Sequence, residues 1–146
     1  MAAAVFADVL RRAGLAERVR VSSAGLDGWH AGDPADPRAA DTLRRAGYHC
    51  AHVATQLDAA HLSADLLVAL DSGHFRALRR LVREPERVVL LRSFDPAAGR
   101  DLDVPDPYFG GRRGFDVVLA MVHAAMPGLL AWVQDRLRND RLRTRP

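Results

Sequence analysis

The stretch Leu66-Leu67-Val68-Ala69-Leu70 decides the fold class of this 146-residue chain. It is a short apolar run, and two further runs rich in β-branched residues occupy positions 18–22 and 88–91. Runs of this length and composition are typical of parallel strands that are buried on both faces of a sheet. The sequence therefore predicts three buried parallel strands at these positions.

Helical patterns alternate with the predicted strands. The first places apolar residues on one face over positions 5–13, with Gly14 as its C-terminal cap. The second begins at Asp36-Pro37, an N-cap followed by proline at the first helical position, and stops at Gly47. The third carries Phe75, Leu78 and Val82, and the last is a long stripe interrupted by Pro127, which predicts a kink or a break. That stripe consists of Phe115, Val118, Leu119, Val122, Met126, Leu129, Leu130 and Val133.

Strands alternating with helices predict a three-layer α/β fold with a doubly wound parallel sheet. Such a fold normally opens on a strand, because the turn after that strand forms the ligand site. Here the first helical pattern begins at residue 1, so we expect the sheet to lack its first, central strand. No repeat or linker divides the chain, which predicts one domain over residues 1–138 and an arginine-rich tail over residues 139–146.

Composition is that of an ordinary globular protein, with 49% apolar and 27% charged residues. No apolar run approaches the roughly 20 residues of a membrane span, and no signal peptide opens the chain, which predicts a cytoplasmic location. Cys50 is the single cysteine, so an internal disulfide is impossible and no metal site can rest on cysteine alone.

The net charge is +3, and every basic side chain is an arginine. Positive charge is concentrated near the end of the sequence, where a nucleic-acid site is one interpretation and a solvated helix end is the other. No aromatic residues interleave with these arginines as base stacking would require, which favours the helix end and predicts no nucleic-acid partner. The residues concerned are Arg136, Arg138, Arg141, Arg143 and Arg145.

The loop Asp103-Val104-Pro105-Asp106-Pro107-Tyr108-Phe109-Gly110-Gly111 carries the clearest chemical signal. Pro105 and Pro107 restrict the backbone on both sides of Asp106, which would hold its carboxyl group in place. A carboxyl group fixed in this way can donate a proton to a leaving group. The alternative interpretation is an ordinary Asp-Pro surface turn.

Four blocks of sequence, in order, resemble the low-molecular-weight protein tyrosine phosphatases from Met1 to about Arg138. The resemblance implies a flavodoxin-like fold and hydrolysis of phosphotyrosine through a cysteinyl-phosphate. It also implies no metal and no organic cofactor, because backbone amides and an arginine hold the phosphate in this family without magnesium. It further implies a phosphotyrosine protein or another aryl phosphate as substrate, and we expect a monomer or weak dimer with no membrane partner. The blocks are Ser22-Ser23-Ala24-Gly25 with Gly28-Trp29-His30, Ala35-Asp36-Pro37-Arg38-Ala39, Leu90-Leu91-Arg92-Ser93-Phe94-Asp95-Pro96 and the Asp106 loop.

The resemblance assigns roles to individual side chains. It implies that Asp106 is the general acid, that Tyr108 and Phe109 form an aromatic wall against the substrate ring, and that Trp29 forms the opposite lip. It also implies that Ser23 and His52 belong to a hydrogen-bond network that supports the phosphate-binding loop. Two positions depart from the family pattern: Thr55 stands where an arginine is usual, and His74 where an asparagine is usual.

The family nucleophile lies in a Cys-x5-Arg loop between the first strand and the first helix, and no such motif occurs in these 146 residues. Six positions after Cys50 stands Gln56, so we expect Cys50 to be a buried thiol. Met1-Ala2-Ala3-Ala4-Val5-Phe6 resembles the segment directly after the family motif, and we expect the chain as given to lack the loop and to be inactive on aryl phosphates. Two alternatives remain: a non-catalytic module that binds phosphotyrosine proteins, and a relative of the arsenate reductases, which need further cysteines.

Overall fold

Helices and two short parallel strands alternate along the chain in the computed structural model, which describes residues 1–143. Two single 3₁₀ turns, Pro85–Arg87 and Leu91–Phe94, flank the second strand. The helices and strands are α1 (Ala2–Arg12), α2 (Pro37–Arg45), α3 (Ala59–Leu62), β1 (Leu67–Ala69), α4 (Ser72–Leu81), β2 (Val88–Leu90) and α5 (Arg112–Arg143).

Local signals set the helix ends as predicted. Gly14 follows α1 with φ of 68° and Gly47 follows α2 with φ of 84°, conformations in which a side chain would be strained. The carboxylate of Asp36 caps α2 by accepting the backbone N–H of Arg38 at 2.8 Å. Helix α4, which corresponds to the third predicted helix, is capped in the same way by Asp71 and ends at Leu81, so that Val82 lies just outside it.

Strands β1 and β2 confirm two of the three predicted strands. They pair in parallel, with Leu67 opposite Val88 and Ala69 opposite Leu90. The side chain of Val68 packs toward α1 and α5, whereas Leu67 and Ala69 pack toward α4, so β1 is covered on both faces. A sheet covered on both faces by helices is the predicted three-layer α/β arrangement.

The predicted strand over residues 18–22 is wrong, since this segment has no regular structure. A strand is defined by ladder hydrogen bonds to a neighbour, and within residues 1–143 no ladder reaches this segment. Val19 and Val21 still pack against the core, so the β-branched pattern marks burial here without pairing.

The long final helix is confirmed, and the break at Pro127 is not found. Helix α5 is assigned without interruption through Pro127, held by a buried stripe that includes Val122, Met126 and Leu129. Beside it, Gly128 lets the helix approach the turn after β2: a Cβ at this position would lie 2.3 Å from the carbonyl oxygen of Phe94.

Helix α5 passes through the predicted domain boundary at residue 138 and ends at Arg143; Arg145 lies outside the described residues. Near its end Arg136 lies 3.4 Å from Asp65 and Arg138 pairs with Asp135, as in a solvated, ion-paired helix end. By length and composition α5 could cross a membrane, but here its buried stripe is the centre of the core.

The core lies mainly on one face of the sheet. Side chains from α1, α2 and α5 form one cluster with Leu91 and Val104, and a smaller cluster joins β1, β2 and α4. Each fully buried apolar side chain of this size contributes about 1.5–3 kcal/mol to stability. The largest fully buried side chains are Val5, Leu10, Leu43, Leu91 and Val122, each no more than 1% exposed.

Candidate functional site

The loop that carries Asp106 is anchored at its start to the carboxyl end of β1. The backbone N–H of Val104 donates to the carbonyl oxygen of Leu70 at 2.8 Å, and the Val104 side chain is buried. Asp103 accepts hydrogen bonds from the backbone N–H of Ser72 at 2.7 Å and from its hydroxyl at 3.0 Å, at the start of α4. The loop therefore leaves the sheet edge from a fixed position, at the edge where open parallel sheets bind ligands.

Asp106 itself is exposed at the tip of this loop. Its Oδ1 accepts the backbone N–H of Tyr108 at 2.9 Å, and the N–H of Gly110 donates to the carbonyl of Pro107 at 2.9 Å. These two short-range hydrogen bonds form a compact turn. The turn fixes the orientation of the carboxylate while leaving it open to solvent.

Arg38, on α2, braces the far side of the same loop. Its Nη1 donates to the carbonyl of Gly110 and its Nη2 to the carbonyl of Tyr108, both at 2.9 Å. The guanidinium also lies over the rings of Phe115 and Tyr108, at 4.8 and 5.8 Å from their centroids. One side chain thus ties α2, the loop tip and the start of α5 together across more than 70 positions of sequence.

Asp36 holds Arg38 in this position. The carboxylate accepts from Nη2 at 2.7 Å and from Nε at 3.1 Å while also capping α2. These hydrogen bonds from Arg38 lower the pKa of Asp36 to about 2. Because the folded pKa lies below that of the unfolded chain, the contribution to stability is present above about pH 4 and is lost as the pH falls toward 2.

Aromatic side chains stand exposed beside Asp106. The Phe109 ring is 94% exposed and meets the Tyr108 ring edge to face, at 5.1 Å between centroids. The His30 ring lies 6.4 Å from that of Tyr108, and the neighbouring Trp29 side chain is 88% exposed. Tyr108, Phe109 and His30 form one aromatic group, and Trp29 follows as the residue next to His30; we call these four side chains the aromatic rim. Sequence analysis assigned no role to His30. Exposed aromatic side chains grouped in this way mark a binding surface.

The Trp29 loop is held in place by the extended segment around Thr55. The N–H of Gly25 donates to the carbonyl of Thr55 at 2.9 Å, and the N–H of Gly32 donates to that of Ala54 at 2.8 Å. The hydroxyl of Thr55 donates to the carbonyl of Ser23 at 2.9 Å. Thr55, which stands where an arginine is usual in the family, thus links its own segment to the segment that contains Ser23.

Ser23 and His52, predicted as supporting residues, are both exposed, and within residues 1–143 their side chains make no hydrogen bond. Desolvation of the ring, reinforced by the positive amino terminus nearby, lowers the pKa of His52. A lowered pKa favours the neutral imidazole, which can accept as well as donate a hydrogen bond.

Cys50 is a free thiol, partly buried and packed against the main core cluster. No helix begins in the residues after it until α3 at Ala59, so the thiol does not lie at a helix N-terminus with backbone N–H groups turned toward an anion. His74, the second residue that departs from the family pattern, has its Nδ1 2.5 Å from a carboxylate oxygen of Asp71. Among the described residues, no group of three potential metal ligands comes together.

The arrangement is that of an α/β domain with a carboxyl group on a braced loop and exposed aromatic side chains beside the end of the sheet. Residues 1–141 match the family model of the low molecular weight phosphotyrosine protein phosphatases. The chain belongs to this family, and its enzyme class is that of the protein-tyrosine phosphatases.

Individual relatives agree with this membership. The chain is 52% identical over 141 residues to a low molecular weight protein-tyrosine phosphatase A of Mycobacterium tuberculosis, covering 96% of this chain and 86% of that protein. It is 53% identical over 142 residues to a low molecular weight protein-tyrosine-phosphatase of Streptomyces coelicolor, covering 94% and 87%. In three dimensions it resembles YfkJ from Bacillus subtilis, with a TM-score of 0.83, 28% identity and coverage of 92% and 86%. The flavodoxin-like doubly wound fold follows from these likenesses.

Replacing Arg38 by alanine is expected to loosen the Asp106 loop without unfolding the domain. The change removes two hydrogen bonds to loop carbonyls and the contacts with two aromatic rings. We expect amide hydrogen exchange at residues 106–111 to accelerate about tenfold or more, since each lost bond contributes roughly 1 kcal/mol. The matched control is Arg44→Ala on the same helix, whose guanidinium pairs with Asp41 and not with the loop. Equal rates of amide exchange at residues 106–111 in the two variants would contradict the conclusion that Arg38 holds the loop.

Proposed function

We propose that this site hydrolyses phosphotyrosine through a cysteinyl-phosphate, with Asp106 as the proton donor to the leaving tyrosine oxygen. The observation that carries the proposal is the loop itself: Asp106 is exposed, oriented by its hydrogen bond to Tyr108, and braced by Arg38. Its neighbours, Tyr108 and Phe109, are rings of the kind that would flank a phenyl group. An acid fixed beside an aromatic wall suits the protonation of an aryl oxygen.

The chemistry proceeds in two displacements at phosphorus. A cysteine thiolate forms the S–P bond while the P–O bond to the aryl group breaks, and Asp106 transfers its proton to the departing oxygen. Water then attacks the cysteinyl-phosphate, the S–P bond breaks, and the Asp106 carboxylate accepts the proton of that water. Inorganic phosphate leaves, and thiolate and carboxylic acid are both restored. No metal takes part, because backbone N–H groups and an arginine would hold the phosphate oxygens.

The nucleophile and the phosphate-binding arginine would come from a Cys-x5-Arg loop, which the 146 residues do not include. Cys50 does not replace it, because Gln56 stands where the arginine would be and no helix begins directly after the thiol. A polypeptide of these residues alone therefore keeps an acid without an attacking group. We infer that it does not turn over aryl phosphates by itself.

A second candidate follows from the same observation. Without Cys-x5-Arg, the exposed rim of Trp29, Tyr108 and Phe109 could serve a non-catalytic module that binds phosphotyrosine proteins. An arsenate reductase is less well supported, since that chemistry needs further cysteines and Cys50 is the only one in the 146 residues. For either phosphotyrosine function we propose a cytoplasmic monomer or weak dimer, with no nucleic-acid or membrane partner.

The test uses an extended protein, in which an apolar strand and a Cys-x5-Arg loop are placed before Met1. We expect it to hydrolyse a phosphotyrosine peptide and to leave the matching phosphoserine peptide essentially intact, because only an aryl group reaches the aromatic rim. We expect Phe109→Ala to raise KM for the phosphotyrosine peptide up to about tenfold, as an aromatic contact contributes roughly 0.5–1.5 kcal/mol. Val117→Ala, which removes an exposed apolar side chain from α5, is the control.

Equal rates of hydrolysis of the phosphotyrosine and phosphoserine peptides would contradict the proposal that the aromatic rim selects the substrate. Binding of the phosphotyrosine peptide with no release of phosphate from the folded extended protein would favour the non-catalytic module. Kinetics and circular dichroism of the same samples separate these outcomes from a failure to fold.

A further inference from the structure

A second arginine, Arg92, contacts the Asp106 loop at its base. Arg92 lies in the 3₁₀ turn Leu91–Phe94 directly after β2, and its side chain is partly buried. Its Nη1 donates to the carbonyl oxygen of Asp101 at 2.8 Å and to that of Asp103 at 3.2 Å. These carbonyl groups come before Asp106 in the chain, whereas the carbonyl groups that Arg38 holds come after it.

Several contacts meet at Asp103. Its carbonyl oxygen accepts from Arg92, and its carboxylate accepts from the backbone N–H and the hydroxyl of Ser72 at the start of α4. The next N–H along the chain, that of Val104, donates to the carbonyl of Leu70. Ser72 and Leu70 follow β1, and Arg92 follows β2, so the base of the loop is tied to the carboxyl ends of both strands.

The guanidinium of Arg92 is held in place by these carbonyl groups. Its Nε is buried and has no hydrogen-bond partner within residues 1–143. A buried donor without a partner costs free energy, so the bonds from Nη1 are what keeps the guanidinium against the loop. A hydrogen bond from a charged donor is shorter and stronger than one between neutral groups. The contact therefore restrains the main chain of residues 101–103 strongly.

Val104 and Pro105 pass the position of the base on to Asp106. The proline ring fixes φ at residue 105, and the residue before a proline is restricted to extended conformations. The Val104 side chain is also buried in the core. Two residues span at most about 7 Å, so a shift of the base reaches the Asp106 carboxyl group almost undiminished. Misplacing a reacting group by about 1 Å can lower a rate by about 10²-fold.

We propose that Arg92 is a positioning residue for the general acid. By holding two carbonyl groups at the base of the loop, it sets where the Asp106 carboxyl group lies relative to the leaving oxygen. Arg38 holds two carbonyl groups on the other side of Asp106, so a guanidinium restrains the chain before and after the acid. The inference rests on the proposed function, in which Asp106 donates the proton. Arg92 acts through the main chain and transfers no proton itself.

Two variants separate the hydrogen bonds of Arg92 from its packing. Arg92→Met keeps the long apolar stem and has no donor, whereas Arg92→Lys keeps the charge and a donor that can reach a carbonyl group. In the extended protein we expect Arg92→Met to lower the single-turnover rate for phenyl phosphate about tenfold or more. The rate for p-nitrophenyl phosphate should fall by less than about threefold, because nitrophenolate needs the proton far less. We expect Arg92→Lys to stay within about threefold of the unsubstituted protein with both substrates.

Arg100→Met is the matched control, since Arg100 is exposed in the same segment of chain. We expect both of its rates to equal those of the unsubstituted protein. Equal losses with the two substrates in Arg92→Met would place the effect on the attacking group or on the fold, and would overturn the proposal. So would full activity of Arg92→Met, or a loss in Arg92→Lys as large as that in Arg92→Met. If Arg92→Met fails to fold, as judged by circular dichroism, Arg92→Gln takes its place, because its shorter amide cannot hold both carbonyl groups.

Amide hydrogen exchange on the 146-residue polypeptide tests the contact without catalysis. The reporters are the N–H groups of Val104 and Ser72, which are bonded at the base of the loop. We expect exchange at both to be about tenfold or more faster in Arg92→Met than in Arg100→Met. Unchanged exchange would overturn the proposal even if the extended protein is active. Faster exchange combined with an extended protein whose Asp106→Asn variant loses no activity would instead contradict the proposed function, since Arg92 would then hold a loop without a catalytic acid.

Discussion

A polypeptide of residues 1–146 is expected to hydrolyse p-nitrophenyl phosphate no faster than buffer does. A positioned general acid contributes typically 10²–10⁴-fold to rate, and only when a nucleophile attacks at the same time. Loss of the nucleophile cost about 10⁶ in kcat in subtilisin, the reference case for scale. The sequence holds no Cys-x5-Arg, and Cys50 lies in an extended segment against the core. Within these residues alone, Asp106 therefore has no attacking nucleophile whose leaving group it could protonate.

The phosphatase rate is measured with the purified polypeptide at high concentration and with its Asp106→Ala and Cys50→Ala variants. Turnover that disappears in Asp106→Ala would show that the acid works with an attacking group elsewhere in the chain. Turnover that disappears in Cys50→Ala would identify that group as the Cys50 thiol, although Cys50 packs against the core. Activity that survives both changes belongs to a contaminant, and the expected result then stands.

In the extended protein, Asp106→Asn is expected to lower kcat for phenyl phosphate by about 10²–10⁴-fold. Asparagine keeps an oxygen that can accept the backbone N–H of Tyr108, so the turn at the loop tip is preserved while the transferable proton is lost. Arg38 holds the loop through carbonyl groups, which the substitution does not touch. The effect is therefore on the chemical step and not on the position of the loop.

The matched control is Asp101→Asn in the same segment. Asp101 is exposed and accepts the backbone N–H of Asp103, a bond that asparagine can also accept. We expect its kcat to stay within about threefold of the unsubstituted protein. A loss as large as that of Asp106→Asn would mean that the loop conformation, and not the acid, controls the rate.

Much of the fold could be predicted because its signals are local. Asp36 before Pro37 marks the start of α2, and Gly14 marks the end of α1, since each acts through its own backbone. The strand over residues 18–22 could not be predicted correctly from its composition. Pairing depends on a neighbour, and no neighbour pairs with this segment in the described chain.

Part of the site could likewise be predicted from local sequence, and part could not. Asp106, Tyr108 and Phe109 lie next to one another in the sequence, so a local block was enough to place them together. Arg38 and His30 were missed as parts of the site. Arg38 reaches the loop across 70 to 72 positions, and only the folded chain brings its guanidinium to those carbonyls. The signal was present in the Asp36-Pro37-Arg38 block, whose first carboxylate holds that guanidinium.

A comparison of leaving groups tests whether Asp106 protonates the leaving oxygen. Single-turnover rates of the extended protein and of its Asp106→Asn variant are measured with phenyl phosphate and with p-nitrophenyl phosphate. Phenolate, whose conjugate acid has a pKa of about 10, needs the proton far more than the less basic nitrophenolate does. We predict a loss at least about tenfold larger for phenyl phosphate. Equal losses with both substrates would contradict the assignment of Asp106 as the general acid.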